Sequence, residues 1–302
     1  MEYPLVSIVV ITYNSLEFIL DTLNSIKEQT YKNLELIITD DGSKDATVEY
    51  CRTWLDVNKE AFVSSKIITT DKNTGIPANC NRGVNAAGGE WIKIIAGDDL
   101  LTSDCVENFI RFIAANNSAQ VIYSKALGFQ GNIIDKNYIE HSFAGYNKFF
   151  SSDTSKQYKM LLRRNYGHGP TIFFKKSIWK AVGGFDEKFK FEDHPFALKV
   201  SKNKIRLYYT DVITVYYREN IASITRSDDK RIFSNFYCEI EKFNKAEVYP
   251  NCSLIIKILK KTEFYKLHYF DKWGLNRRTK INKLLFLATY YLNPLNLYNK
   301  YF

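Results

Sequence analysis

Gly89-Glu90-Trp91-Ile92-Lys93-Ile94-Ile95-Ala96-Gly97-Asp98-Asp99-Leu100-Leu101 is the stretch that decides the fold. The apolar run from Trp91 to Ala96 reads as a buried strand. It stops at Gly97, and two adjacent carboxylates follow at once. In an open parallel sheet, ligands collect outside the carboxyl ends of the strands. Two aspartates placed there repel each other, and burial disfavours the ionised form of both. A divalent cation removes that cost, and hard oxygen ligands suit Mg²⁺ or Mn²⁺. Gly-Asp-Asp is equally good turn chemistry, so taken alone the stretch supports either a metal pair or a surface turn.

The surrounding chain alternates strand and helix. Val6-Ser7-Ile8-Val9-Val10-Ile11-Thr12 is another continuous β-rich run, broken by Tyr13-Asn14-Ser15. Leu16, Ile19, Leu20, Leu23 and Ile26 then recur at helical spacing. Residues 34–39 predict a second strand running into Asp40-Asp41-Gly42-Ser43-Lys44-Asp45, with Ser43 or Asp45 available to cap a helix starting near Ala46. Residues 66–69 form a third strand, 73–77 a loop, and 78–87 a helix of small residues leading into Trp91. Ser103 caps an expected helix through Ala115, and 120–123 make a fifth strand. This rhythm predicts right-handed βαβ units on one largely parallel sheet, an α/β fold. From Ala126 to about Arg164 the pattern blurs, and loops with a hairpin are expected. A short strand (171–174), a helix (177–182), the turn Gly183-Gly184-Phe185-Asp186, a helix opened by Glu192-Asp193, and two strands (205–209 and 212–217) follow. After Asp228 the chain turns helical, aromatic and lysine-rich, which places a catalytic domain at 1–228 and an extension at 229–302.

Composition narrows the class. An apolar fraction of 45% over 302 residues supports a sizeable core. Five scattered cysteines without a CxxC pair favour reduced thiols in a cytosolic compartment over a zinc site. A strand pattern within six residues of Met1 leaves no room for a signal peptide, and no apolar run reaches the roughly 18 residues of a spanning helix. From Asn251 onward ten Lys/Arg face two carboxylates, a surplus of eight within a total net charge of +9. The basic character therefore belongs to the tail.

Three acidic features fall at ends of predicted sheet elements: Asp40-Asp41, Asp98-Asp99 and Glu192-Asp193. Each has an ordinary structural reading as turn or cap, and Tyr13 as a core ring. Together they favour a nucleotide site. At this point the sequence resembles a known family. Residues 6–14, Asp40-Asp41-Gly42-Ser43, Asn73-Thr74-Gly75, Gly88-Gly89-Glu90-Trp91-Ile92, Gly97-Asp98-Asp99, Gly184-Phe185-Asp186 and Glu192-Asp193 look like the motifs of family 2 glycosyltransferases with the GT-A fold, in order over residues 5–226.

The resemblance implies an inverting transfer from a nucleotide-diphosphate sugar, usually UDP-linked, to a saccharide or lipid-linked saccharide acceptor of surface polysaccharide synthesis, with Mg²⁺ or Mn²⁺. By position, Thr12, Tyr13 and Asn14 would border the donor, with Tyr13 stacking on the base. Asp41, with Asp40 beside it, would hydrogen-bond the base. Asn81, Arg82, Gly97 and Asp98 would complete the donor site, Asp99 would bind the metal, and Asp193 would be the general base, oriented by Glu192. His168 would line the acceptor pocket. Three positions depart from the family pattern: Ala96, where a further aspartate is common, Asn220, where a histidine often helps hold metal or diphosphate, and Cys80, where arginine is common. Arg82, Arg218 or Arg226 would then supply positive charge to the diphosphate. These departures keep open a GT-A-like module that binds nucleotide sugar or membrane without catalysis. A sugar nucleotidyltransferase fits less well, because Tyr13-Asn14-Ser15 replaces a glycine-rich phosphate loop. In the tail, residues 254–261 and 280–287 mix apolar and basic side chains and suit either an anionic membrane surface on the cytoplasmic side or packing on the catalytic domain. No nucleic-acid motif is present.

Overall fold

The computed structural model describes residues 4–130, 139–141, 146–219 and 230–296. Its centre is a nine-stranded sheet in which β1 (Val6–Thr12), β2 (Leu34–Asp40), β3 (Ser64–Thr69) and β4 (Trp91–Ala96) run parallel in the order β3-β2-β1-β4. The continuous apolar runs of β1, β2 and β4 are covered on both faces, as strands flanked by crossover helices must be. Alternation divides their side chains. Val9 and Ile37 enter one core, with the helices Ile76–Ala86 and Asp193–Lys202; Ile8, Val10, Leu36 and Ile38 enter the other, with Ile19–Lys27, Thr47–Asn58 and Cys105–Ala115. In the second core Trp91, Phe173 and Phe109 stack in a column, with centroids 5.0 and 4.6 Å apart.

The remaining strands carry the sheet onward. They are β5 (Leu100–Leu101), β6 (Val121–Phe129), β7 (Ile139–His141), β8 (Phe173–Lys175) and β9 (Tyr208–Arg218), and the order continues β4-β8-β6-β9-β5 with β7 on β6. β8 is antiparallel to β4 and β6, and β6 runs parallel to β9.

Several expectations need correction. The two strands foreseen across 205–217 are one strand, β9, which follows β6 through register shifts near Lys125. Where loops were expected, helices Tyr146–Ser151 and Thr154–Leu161 form, and β7 supplies the antiparallel partner of β6. The helix after Ser103 begins beyond Asp104 without a side-chain cap, whereas Asp45 accepts the Thr47 amide at 3.1 Å at the start of its helix. In the C-terminal region, helices Tyr237–Phe243, Leu254–Lys272 and Lys280–Tyr291 follow one another. Phe243 packs against Phe189 and Phe191 and belongs, with Val248, to the first core.

Candidate functional site

The carboxyl ends of β2, β1 and β4 lie side by side, with Thr12 opposite Asp40 and Ile11 opposite Ala96. The Asp41 amide donates to Thr12 O and the Gly97 amide to Ile11 O, each at 2.9 Å. Asp41 and Asp98-Asp99 therefore leave the sheet on either side of the β1 terminus. Gly97 has no room for a side chain: a Cβ would sit 2.9 Å from Thr12 Cγ2 and 3.1 Å from Ile19 Cδ1. Beyond Thr12 the ring of Tyr13 is 44% exposed, open for stacking.

The two carboxylates after β2 have different tasks. Asp40 is buried and spent on its own turn, accepting from Thr12 Oγ1 (2.9 Å), the Gly42 and Ser43 amides (3.0 and 2.9 Å) and the Ser43 hydroxyl. It shapes the loop and has no acceptor site left for a base. Asn14 is likewise occupied: held at φ 50, its carbonyl takes the Lys44 amide at 2.8 Å while its own amide reaches Ser43 Oγ. Asp41, equally buried, accepts from the amides of Thr74 and Gly75 (2.8 Å each), Thr74 Oγ1 (2.6 Å) and Arg82 Nη2 (2.7 Å). Asp41 thus ties the 74–75 loop and the helix Ile76–Ala86 to the β2 end and brings Arg82 to the donor rim. Asn81, one residue earlier, points elsewhere: it donates to Phe185 O and Glu187 Oε1 and accepts the Phe185 amide, fastening the Gly183-Gly184 turn. Its expected donor contact gives way to this structural one.

Asp98 and Asp99 follow β4. Asp99 is 1% exposed; its Oδ1 accepts the Arg218 amide at 2.9 Å, while its Oδ2 is buried without a hydrogen-bond partner. Burial, reinforced by the neighbouring Asp98, pushes the Asp99 carboxyl well above the usual range, and burial raises Asp98 too. Arg218 lies beneath the pair. Its Nε donates to Asp98 O at 2.8 Å, Nη2 meets Asp21 at 3.2 Å, and its guanidinium packs on Phe18 and Phe129. Arg218 therefore holds the Asp98-Asp99 loop from below, a support role in place of an open diphosphate contact. Thr22 Oγ1 adds a hydrogen bond to Asp99 O at 2.8 Å.

Glu192 and Asp193 stand at the start of the helix Asp193–Lys202. Asp193 accepts the His194 amide and Asn165 Nδ2, both at 2.7 Å. Burial raises its pKa to about 6 against those two hydrogen bonds; burial and the adjacent Asp193 charge push Glu192 to about 8. Burial thus favours retention of a proton by the pair, while the Asn165 and His194 hydrogen bonds favour the ionised form of Asp193, the form a general base requires. Glu192 Oε1 closes on the turn at Gly169, where a Cβ would come within 2.8 Å of it. His168 precedes that turn and meets Tyr217 edge-on at 5.0 Å.

Neighbouring contacts connect these pieces. Cys80, buried on the helix Ile76–Ala86, has its thiol pushed well up by burial, then by the charges of Glu192 and Asp41. From Asp193 the path runs through Asn165 to Gly167, through His168 to Tyr217, and by Arg218 back to Asp98 and Asp99. Asn220 and Arg226 lie outside the described residues.

Two contributors were not assigned from sequence. Asn165 holds the Asp193 carboxylate, and nothing in its local pattern marks it. Lys93 is fully buried in β4, bonds to Ile94 O and Pro170 O, and its charge favours the ionised form of Asp99; burial lowers it to about 8. A single lysine inside an apolar strand was the available signal.

Among the described residues no group of three His, Cys, Asp or Glu forms a ready-made metal cage. The bare Oδ2 of Asp99 and its raised pKa nonetheless fit a divalent ion held by one or two carboxylates, with phosphate oxygens and water completing the shell, the usual arrangement for Mg²⁺.

Comparison with known proteins agrees with this architecture. The model of the family described as "Glycosyl transferase family 2" matches residues 7–181. The Bacillus subtilis protein EpsH, named as a glycosyltransferase, is 30% identical over 250 residues, covering 78% of this chain and 67% of its own. The Escherichia coli UDP-Glc:alpha-D-GlcNAc-diphosphoundecaprenol beta-1,3-glucosyltransferase WfaP is 27% identical over 230 residues, 76% of this chain and 82% of its own. Among solved structures, S. aureus TarS 1-349 in complex with UDP-GlcNAc superposes with a TM-score of 0.60 at 20% identity, over 87% of this chain and 72% of that one.

Proposed function

From the premise that this chain belongs to glycosyl transferase family 2 and is a glycosyltransferase, we propose that it moves a sugar, with inversion, from a UDP-sugar to a hydroxyl of a lipid-linked saccharide. The reaction would take place at the cytoplasmic face of the plasma membrane. The observation that carries this reading is the Asp99 Oδ2, buried without a hydrogen-bond partner at the end of β4, and the Asp193 carboxylate held by Asn165 and the His194 amide supports it.

In this reading Tyr13 stacks on the base and Arg82, anchored to Asp41, lines its edge. Asp98 faces the ribose or donor sugar. Asp99, with Asp98 beside it, would hold Mn²⁺ or Mg²⁺, whose charge would offset that of the diphosphate and favour departure of UDP. Asp193 takes the proton from the acceptor hydroxyl as its oxygen bonds to the anomeric carbon and the bond to the diphosphate oxygen breaks. One carboxylate on the acceptor side is what a single displacement with inversion needs. The name of WfaP, a UDP-Glc-dependent enzyme with a diphosphoundecaprenol-linked acceptor, supports both donor class and acceptor class.

The test is UDP release from a panel of UDP-sugars, with and without Mn²⁺, offered a saccharide-diphospholipid acceptor. One donor is expected to turn over, with stimulation by the cation. Absence of UDP release from every donor, with water or saccharide as acceptor, would refute the proposal.

A further inference from the structure

The C-terminal helices carry their large apolar side chains outward. Of the eighteen large hydrophobic residues that are exposed among the described residues, twelve fall between Leu254 and Leu292. A soluble surface scatters such residues singly, so this concentration marks a binding face. On the helix Leu254–Lys272 they form a line at helical spacing, Ile258, Tyr265 and Tyr269 leading to Trp273, with Tyr269 stacked on Trp273 at 5.2 Å. On Lys280–Tyr291 the exposed set includes Ile281, Leu284 and Leu285. The helices are joined on another side, where Phe270 meets Phe286 and Asn293 donates to Leu259 O. The outward residues are therefore surplus to the contact between the two helices.

The turn joining the helices adds charge. Lys272, Arg277, Arg278, Lys280 and Lys283 are all exposed, around Trp273 (67% exposed), Ile281 (71%) and Leu284 (70%). No carboxylate falls between Lys272 and Lys283, and Asp271 just before them accepts from Asn276 Nδ2 at 3.0 Å. A second copy of this chain would bring the same cations against these. An indole with aliphatic side chains ringed by lysine and arginine matches instead the interface of an anionic bilayer, where the rings sit at headgroup depth and the cations meet lipid phosphates. No described helix is long and apolar enough to cross a membrane.

We propose that the 272–285 end of this helical hairpin is a docking surface for an anionic lipid bilayer, lying on it without spanning it. This deepens the reading of a lipid-linked acceptor, and docking is measured with no substrate present, so either can fail alone. The full-length chain should co-sediment with vesicles of phosphatidylglycerol and phosphatidylcholine, weakly or not at all with phosphatidylcholine alone, and less as salt rises. The triple variant Trp273→Ser, Ile281→Ser, Leu284→Ser, all exposed positions, should lose binding at least about tenfold. Its thermal midpoint and its UDP release with a water-soluble acceptor should stay unchanged. Equal binding to neutral and anionic vesicles, no binding to either, or a dimer in sedimentation that the triple variant dissolves would overturn the proposal.

Discussion

Asp193→Asn is expected to lower kcat on the order of a thousandfold, the scale of a lost general base, while UDP binding is retained. Asparagine is isosteric; its carbonyl oxygen can keep one of the two donors, the His194 amide or Asn165 Nδ2, that now hold the carboxylate at 2.7 Å, so one hydrogen bond is lost while the shape of the site is kept. The wild-type pH profile makes the role specific. Burial raises Asp193 to about 6, and a base must be ionised, so kcat/KM should fall as pH drops through that region instead of near 4, where an exposed aspartate titrates. In the variant the residual rate should show no acid limb there. A variant with near wild-type turnover, or with the limb intact, would remove Asp193 from the chemistry.

Asp99→Asn should separate metal binding from folding. Its Oδ2 is buried and unpaired, and a carboxylate in that state costs stability. Replacing it with a neutral amide removes that charge, so the metal-free variant should melt at or above the wild type. Wild-type protein should gain about 2.7 kcal/mol of stability from UDP plus Mn²⁺ at a hundredfold excess over Kd, and the variant should lose most of that gain. Turnover should drop at least about a hundredfold, the scale of a lost transition-state charge contact. The check is a thermal melt of both proteins with and without UDP and Mn²⁺. A variant that melts well below wild type without metal, yet still responds to UDP and Mn²⁺, would contradict the assignment.

How much of this was legible in the sequence depended on the kind of interaction. β1, β2 and β4 were legible because strands covered on both faces must be apolar throughout, and their ends located the rim. β9 was misread as two strands because a turn-like Thr210-Asp211 interrupts its pattern, while pairing with β6 carries it through. Asp40-Asp41 read as one acidic unit. Successive residues at a strand end diverge, so Asp40 caps its turn and Asp41 faces Arg82. The same holds on the helix Ile76–Ala86, where one step of about 100° sends Asn81 to Phe185 and Arg82 to the rim. Asn165 and Lys93 act through partners 28 and 77 residues away. Such pairs exist only once the sheet has assembled, so local periodicity carries no trace of them.

The most direct measurement is diffraction from crystals grown with a UDP-sugar and Mn²⁺, read at the manganese absorption edge. The account predicts one anomalous peak within coordination distance of an Asp99 carboxylate oxygen, with the base against Tyr13 and the anomeric carbon facing Asp193. Nucleotide bound away from Asp41, or manganese bound without Asp99, would show that these carboxylates do not form one catalytic rim.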